Sequence, residues 1–214
     1  MLDERLRIEP WYEQWPGREA GTTGVAACLH SGDSVMSTPR GLLAHYLRTG
    51  SLRPACEPEP TAIAQLATAT GDALRHKLEK QGNIAVVFAA SGESAQMREI
   101  FTTAASQSLP VLYVLEGRAP LADVFEDVPV IGVDGADAVA VYRVAHESIR
   151  RAREGGGPTI MECIAWPGNA QQDPLAKLED YLTGKDLFRP HWKQQLREKY
   201  SLELDKAAAA VRLN

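Results

Sequence analysis

Asn83-Ile-Ala-Val-Val-Phe-Ala-Ala-Ser-Gly-Glu-Ser94 and, further along, Leu109-Pro-Val-Leu-Tyr-Val-Leu-Glu-Gly-Arg118 decide the fold of this chain. The runs Ile84 to Phe88 and Val111 to Leu115 are continuously apolar and rich in β-branched residues. Strands covered on both faces of a parallel sheet read this way. The roughly 15 mixed residues between the runs suit one crossover helix, so the stretch is a βαβ unit. Ligands of such units sit outside the carboxyl ends of the strands. Here those ends are Ala89-Ala90-Ser91-Gly92, which leads into the helix, and Glu116-Gly117-Arg118. Ser91 and Gly92 can offer backbone donors to an anion at a helix N-terminus.

Working outward, Val128-Pro-Val-Ile-Gly-Val133 reads as a strand with its proline at the start, where a missing donor is tolerated. Asp134 follows as a helix N-cap with Asp137 three residues on, and Val139, Tyr142, Ala145, Ile149 and Ala152 recur at helical spacing. After Gly155-Gly156-Gly157, Thr159 to Ile164 is the last strand. Upstream, Ala20 to Leu29 reads as a closely packed helix, Ser31-Gly32-Asp33 as a turn, and Leu42 to Leu47 as a second helix ended by Gly50. Pro54 to Pro60 is a linker, because its three prolines cannot continue a helix. Thr61 to Lys80, Pro174 to Leu182 and Arg189 to Tyr200 are helical. The expected architecture is α/β, a parallel sheet flanked by helices with N- and C-terminal helical segments. We expect a single domain over 1–214, with an N-terminal helical segment (1–55), an α/β core (61–166) and C-terminal helices (173–214).

Composition narrows the function classes. With 44% hydrophobic and 24% charged residues in 214, the chain can bury a substantial core. Lys plus Arg minus Asp plus Glu is 23 − 28 = −5, which argues against nucleic acid and anionic membrane as partners. No stretch reads as a leader or a membrane span, so a cytoplasmic location is expected. Cys28, Cys56 and Cys163 lack CxxC spacing and read as reduced, inert thiols. His30, His45, His76, His146 and His191 show no paired metal spacing, and neither a Gly-x-Ser-x-Gly elbow nor a P-loop occurs. Trp11, Tyr12 and Trp15 read as packing residues, and Arg150-Arg151-Ala152-Arg153 as a charge run favouring a helix C-terminus.

The order of the shorter motifs resembles a known family. Arg18-Glu-Ala, Gly24-Val-Ala-Ala, Ser31-Gly32-Asp33, Arg40-Gly41, Ala69-Thr-Gly-Asp-Ala-Leu74, Glu99, Leu109-Pro-Val111, Val133-Asp-Gly-Ala-Asp137, Gly157-Pro-Thr159 to Glu162 and Asp173-Pro-Leu175 stand in family order. From about Gly17 to Ala210 the chain is similar to the alpha subunit of thiamine-diphosphate-dependent 2-oxo acid dehydrogenases. The resemblance implies the thiamine-diphosphate-binding fold. It also implies a cofactor lying between alpha and beta subunits, with a beta-subunit glutamate activating the aminopyrimidine.

The family holds its magnesium ion with Gly-Asp-Gly at one strand end and Asn-Asn roughly 25 to 30 residues later. Those positions carry Ala89-Ala90-Ser91 and Gly117-Arg118 here, so Ala90 and Gly117 stand where oxygen ligands belong. The family's glycine-rich stretch ending in Ser-Met-His is reduced to Gly50 to Thr61, and its Gly-His-Ser loop is replaced by Ile164 to Asp173 with no histidine. Of its diphosphate contacts only Arg40 has a counterpart, with Pro39 where a tyrosine usually precedes it. Glu93 and Glu116 flank the two altered positions; the ordinary reading is a helix first-turn residue and a solvated strand end.

The expectation is therefore a cofactor-deficient homologue with no catalytic residue, no metal ligands and no cofactor, serving as a non-catalytic or assembly subunit. Its expected partner is a beta-subunit-like protein or a second copy of itself. The candidate cofactor-binding residues are Arg40, Ser91, Gly92, Glu93 and Glu116. The alternatives are an active minimal alpha subunit, using thiamine diphosphate and magnesium to decarboxylate a 2-oxo acid oxidatively with a beta partner, and a protein binding an anion or phosphate ligand.

Overall fold

The structure, a computed structural model, describes residues 19–36, 47, 61–92, 95–117, 120–121, 125, 127–164 and 173–212. Five strands, β1 (Ser34–Val35), β2 (Ala85–Ala90), β3 (Val111–Gly117), β4 (Val130–Asp134) and β5 (Thr159–Ile164), form one sheet in the order β1-β2-β3-β5-β4. Every pairing is parallel, so the expected α/β sheet is present. Among the described residues six helices accompany it: α1 (Glu19–Ala26), α2 (Ala62–Glu79), α3 (Ala95–Ser106), α4 (Ala138–Arg153), α5 (Pro174–Gly184) and α6 (Pro190–Arg212). The expected helix over 42–47 and the linker over 54–60 lie outside the described residues, Leu47 apart.

Strand alternation divides the core into two layers. Val86, Phe88, Leu112, Val114, Met161 and Cys163 face Val25 of α1 and Val141, Ala145 and Ile149 of α4. Ala85, Val87, Val111, Tyr113, Leu115 and Ile160 face Leu66 and Ala69 of α2 and Met97 and Phe101 of α3. Each large apolar side chain so buried contributes about 1.5–3 kcal/mol. Helix α1 lies tight on α4: a Cβ on Gly24 would stand 2.8 Å from Val141 Cγ1 and 3.0 Å from the Ala138 carbonyl. The small residues of α1 are what permit that approach.

Three details differ from the sequence reading. Strand β1 has only two residues and no apolar run, so periodicity did not reveal it. The N-cap of α4 is Asp137, whose Oδ1 accepts from Val139 N (3.0 Å) and Ala140 N (2.9 Å). Asp134 instead turns the loop by accepting from Ala136 N at 2.9 Å and pairs with Lys177 of α5. Finally, α6 runs on to Arg212, because its alanine-rich end favours helix.

At the amino end of the sheet the arginine run does more than favour a helix terminus. The Asp33 side chain, with no exposure, accepts from His30 N (2.6 Å), Ile84 N (3.0 Å), Arg153 Nη1 (2.9 Å) and Arg153 Nη2 (2.6 Å). Arg153 also donates to the Gly82 carbonyl at 2.7 Å. One buried carboxylate thus ties the entry to β1, the start of β2 and the end of α4 together. Among the described residues no helix is long and apolar enough to cross a membrane.

Candidate functional site

All five strands point their carboxyl ends the same way, and the connections that follow β2, β3 and β5 emerge there. The register sets out a row across that rim: Ala90 opposite Glu116, Glu116 opposite Cys163, and Cys163 opposite Val133. Alternation turns this row towards α1, whose Gly21 places a Cβ position 3.5 Å from Cys163 Sγ. Glu116 is therefore half-buried, with both carboxylate oxygens buried, and it is engaged in an interaction. The expectation of a solvated strand end is corrected. Burial first, and then the Glu116 charge, push the Cys163 thiol well above its ordinary range. Cys28, half-buried, is pushed up to about 11 by desolvation. Neither is poised as a nucleophile, as the sequence suggested for reduced, inert thiols; Cys56 lies outside the described residues.

The opposite face of the rim carries Glu162, 6% exposed, whose Oε1 accepts from Leu121 N at 2.6 Å. This bond holds the connection after β3 across the end of β5. Phe125 from the same connection packs edge-to-face on Phe101 of α3, with ring centroids 5.3 Å apart, and Arg98 sits over the Phe125 ring at 5.4 Å. Sequence reading used Glu162 only as part of a family motif. A charged residue inside an otherwise apolar strand, Thr159 to Ile164, was the available signal of a buried role.

Of the candidate binding residues, Ser91 and Gly92 lie in the loop between β2 and α3, as expected. Ser91 is half-buried, and its N–H donates to the Glu116 carbonyl at 2.8 Å, extending the ladder by one bond. That donor is consequently not offered to an anion. Gly92 is exposed, and a Cβ there would meet nothing within 4 Å. Arg40 and Glu93 lie outside the described residues. Ala90 and Gly117 end β2 and β3.

The described residues do not fit the magnesium–diphosphate group that the resemblance implies. Magnesium requires several oxygens in near-octahedral geometry. Ala90 and Gly117 carry no side-chain oxygen, and among the described residues no group of three or more His, Cys, Asp or Glu is placed to hold a metal ion. We therefore derive no chemical step through that group.

The chain matches the family of the dehydrogenase E1 component over residues 120–166. It is 31% identical over 200 residues to the alpha subunit of acetoin:2,6-dichlorophenolindophenol oxidoreductase of Bacillus subtilis (strain 168), a match covering 71% of this chain and 60% of that protein. The corresponding subunit of Cupriavidus necator is 28% identical over 249 residues, covering 88% and 74% respectively. Subunit alpha-3 of the chloroplastic pyruvate dehydrogenase E1 component of Arabidopsis thaliana is 26% identical over 244 residues, covering 81% and 57%. The chain thus spans about 60% of the length of the first of these relatives. These matches correct the expectation that no cofactor is involved. The relatives are subunits of dehydrogenase E1 components and acetoin oxidoreductases, in the family that the resemblance describes as thiamine-diphosphate-dependent.

Proposed function

We propose that this chain, an E1-alpha-subunit-like protein by the matches above, is the alpha-type member of a thiamine-diphosphate-dependent 2-oxo acid dehydrogenase complex, and that its part in that complex is assembly. What supports the reading is that Ala90 and Gly117, which end the neighbouring strands β2 and β3, bear no side-chain oxygen where the resemblance places the family's metal ligands. The chain supplies the framing half of an interface and a beta-type subunit supplies the other. A second copy of this chain is the other partner consistent with the same surface, since isologous pairs are common. The relatives' names favour a second reading, an active minimal alpha subunit that decarboxylates a 2-oxo acid oxidatively with its beta partner. An anion held by Ser91 and Gly92 has less support, because the Ser91 N–H is already engaged.

Restoring the lost oxygens tests the assignment of Ala90 and Gly117. In a complex with a beta-type subunit, Ala90→Asp combined with Gly117→Asn should strengthen magnesium-dependent thiamine diphosphate binding by at least about tenfold, read by titration calorimetry. Micromolar, magnesium-dependent binding by the unaltered complex, left unchanged by the double substitution, would show that the ligands come from elsewhere and support the active reading.

A further inference from the structure

At the amino end of the sheet, away from the rim, a histidine with 3% exposure touches edge strand β1. His76 Nε2 lies 2.8 Å from Ser34 Oγ, and the same hydroxyl accepts from Arg75 Nη2 at 3.1 Å. Arg75 Nη2 is itself 3.5 Å from His76 Nε2. A guanidinium is always charged and only donates, so Ser34 Oγ spends one lone pair on Arg75 and keeps its proton and a second lone pair for the imidazole. Nδ1 is buried without a hydrogen-bond partner, the Glu79 carboxylate standing 3.8 Å away.

Protonating the ring would put a second positive charge beside the guanidinium, whose Nη2 is 3.5 Å from Nε2, in a place with little solvent to screen it. Strand β1 is short, and besides this contact it is held by its ladder to β2, the core side chain of Val35 and Asp33 just before it. Its two residues pair with Ala85 and Val86 of β2, the ladder includes Ser34 N to the Ile84 carbonyl (2.9 Å) and Met36 N to the Val86 carbonyl (3.1 Å), and its other edge is unpaired among the described residues. We propose that His76 is a proton-operated latch on β1, closed while its imidazole is neutral and released when the ring takes up a proton. The surrounding charges are Arg75, Asp72 and Glu79 on α2, and Asp33 just before β1, itself bound to Arg153 of α4.

Burial first and Arg75 second hold the His76 pKa below its ordinary 6.5, against the pull of Asp72, Glu79 and Asp33. The folded form therefore binds fewer protons than the unfolded chain. The latch is fully closed above pH 6.5, begins to weaken as the pH falls below that value, and is lost once the folded pKa is passed.

Hydrogen exchange of the full chain at pH 7.5 and 5.0, corrected for intrinsic rates, tests this. Protection of Ser34 to Met36 should fall at the lower pH, while β2 and β3 stay unchanged. His76→Gln, neutral with a carbonyl acceptor, should remove the pH dependence. Equal protection of the unaltered protein at both pH values, or a His76→Gln variant that keeps the drop, would overturn the latch. If that variant does not fold, the His76 proton resonance of the unaltered protein decides. A titration midpoint below 6.5 that rises in Arg75→Gln supports the latch, and a midpoint at or above 6.5 excludes it.

Discussion

Arg153→Ala should lower the stability of the folded chain by about 3–5 kcal/mol, because it leaves the Asp33 carboxylate buried with no countercharge. The effect is large for reasons visible in the geometry. Asp33 has no exposed side-chain surface, and two of its four hydrogen bonds come from Arg153, the other two from His30 N and Ile84 N. The Gly82 carbonyl also loses its donor. Solvent screening discounts exposed ion pairs heavily, but it reaches this one little, since the arginine side chain is only 16% exposed. The double substitution Asp33→Ala, Arg153→Ala should cost clearly less than the sum of the two single ones, because neither charge is then stranded. Chemical denaturation of the four species closes the cycle. Costs below about 1 kcal/mol, or strict additivity, would mean that the pair does not tie β1, β2 and α4 together.

Phe101→Ala should be comparably damaging, at about 3–5 kcal/mol. Phe101 is 1% exposed and stands at the centre of an aromatic line, 4.8 Å from the Tyr113 ring and 5.3 Å from that of Phe125, both in edge contact. Each such contact adds about 0.5–1.5 kcal/mol to what burial alone provides. Tyr113, with its hydroxyl bonded to Thr70 Oγ1 at 2.7 Å, carries the line on to α2. Truncation therefore removes the wedge between β3 and α3 and also frees Phe125, which helps to fix the connection after β3. Hydrogen exchange should show the Leu121 amide, bound to Glu162, losing protection along with the global loss. Substitution by Leu, which refills most of the volume, should recover over half of the stability. A cost below about 1.5 kcal/mol would show that the site collapses around the hole rather than depending on the ring.

The parallel core was legible because strands buried on both faces must be apolar throughout. Val86 to Phe88, Val111 to Leu115 and Thr159 to Ile164 could hardly have been anything else. The same logic hid β1: Ser34 and Val35 form no run, and the strand exists through tertiary partners, the β2 ladder, His76 and Asp33. Arg153 was visible as a member of a basic run, but its partner lies at the far side of the sequence and no local pattern connects the two. Glu116 was misjudged for a geometric reason. Being last but one in its strand suggested solvent, whereas the pleat turns it towards α1. At the rim, Ala90 and Gly117 were assigned by motif order alone, and they end neighbouring strands. The cofactor expectation went astray because the loss of two side chains was extended to the loss of the ligand, which the relatives contradict.

An assembly role stands or falls on whether the chain pairs at all. Sedimentation velocity of the purified chain, alone and mixed with a beta-type dehydrogenase subunit, is the direct measurement. The expected result is a faster species containing both chains. A chain that sediments strictly as a monomer in both samples would contradict it.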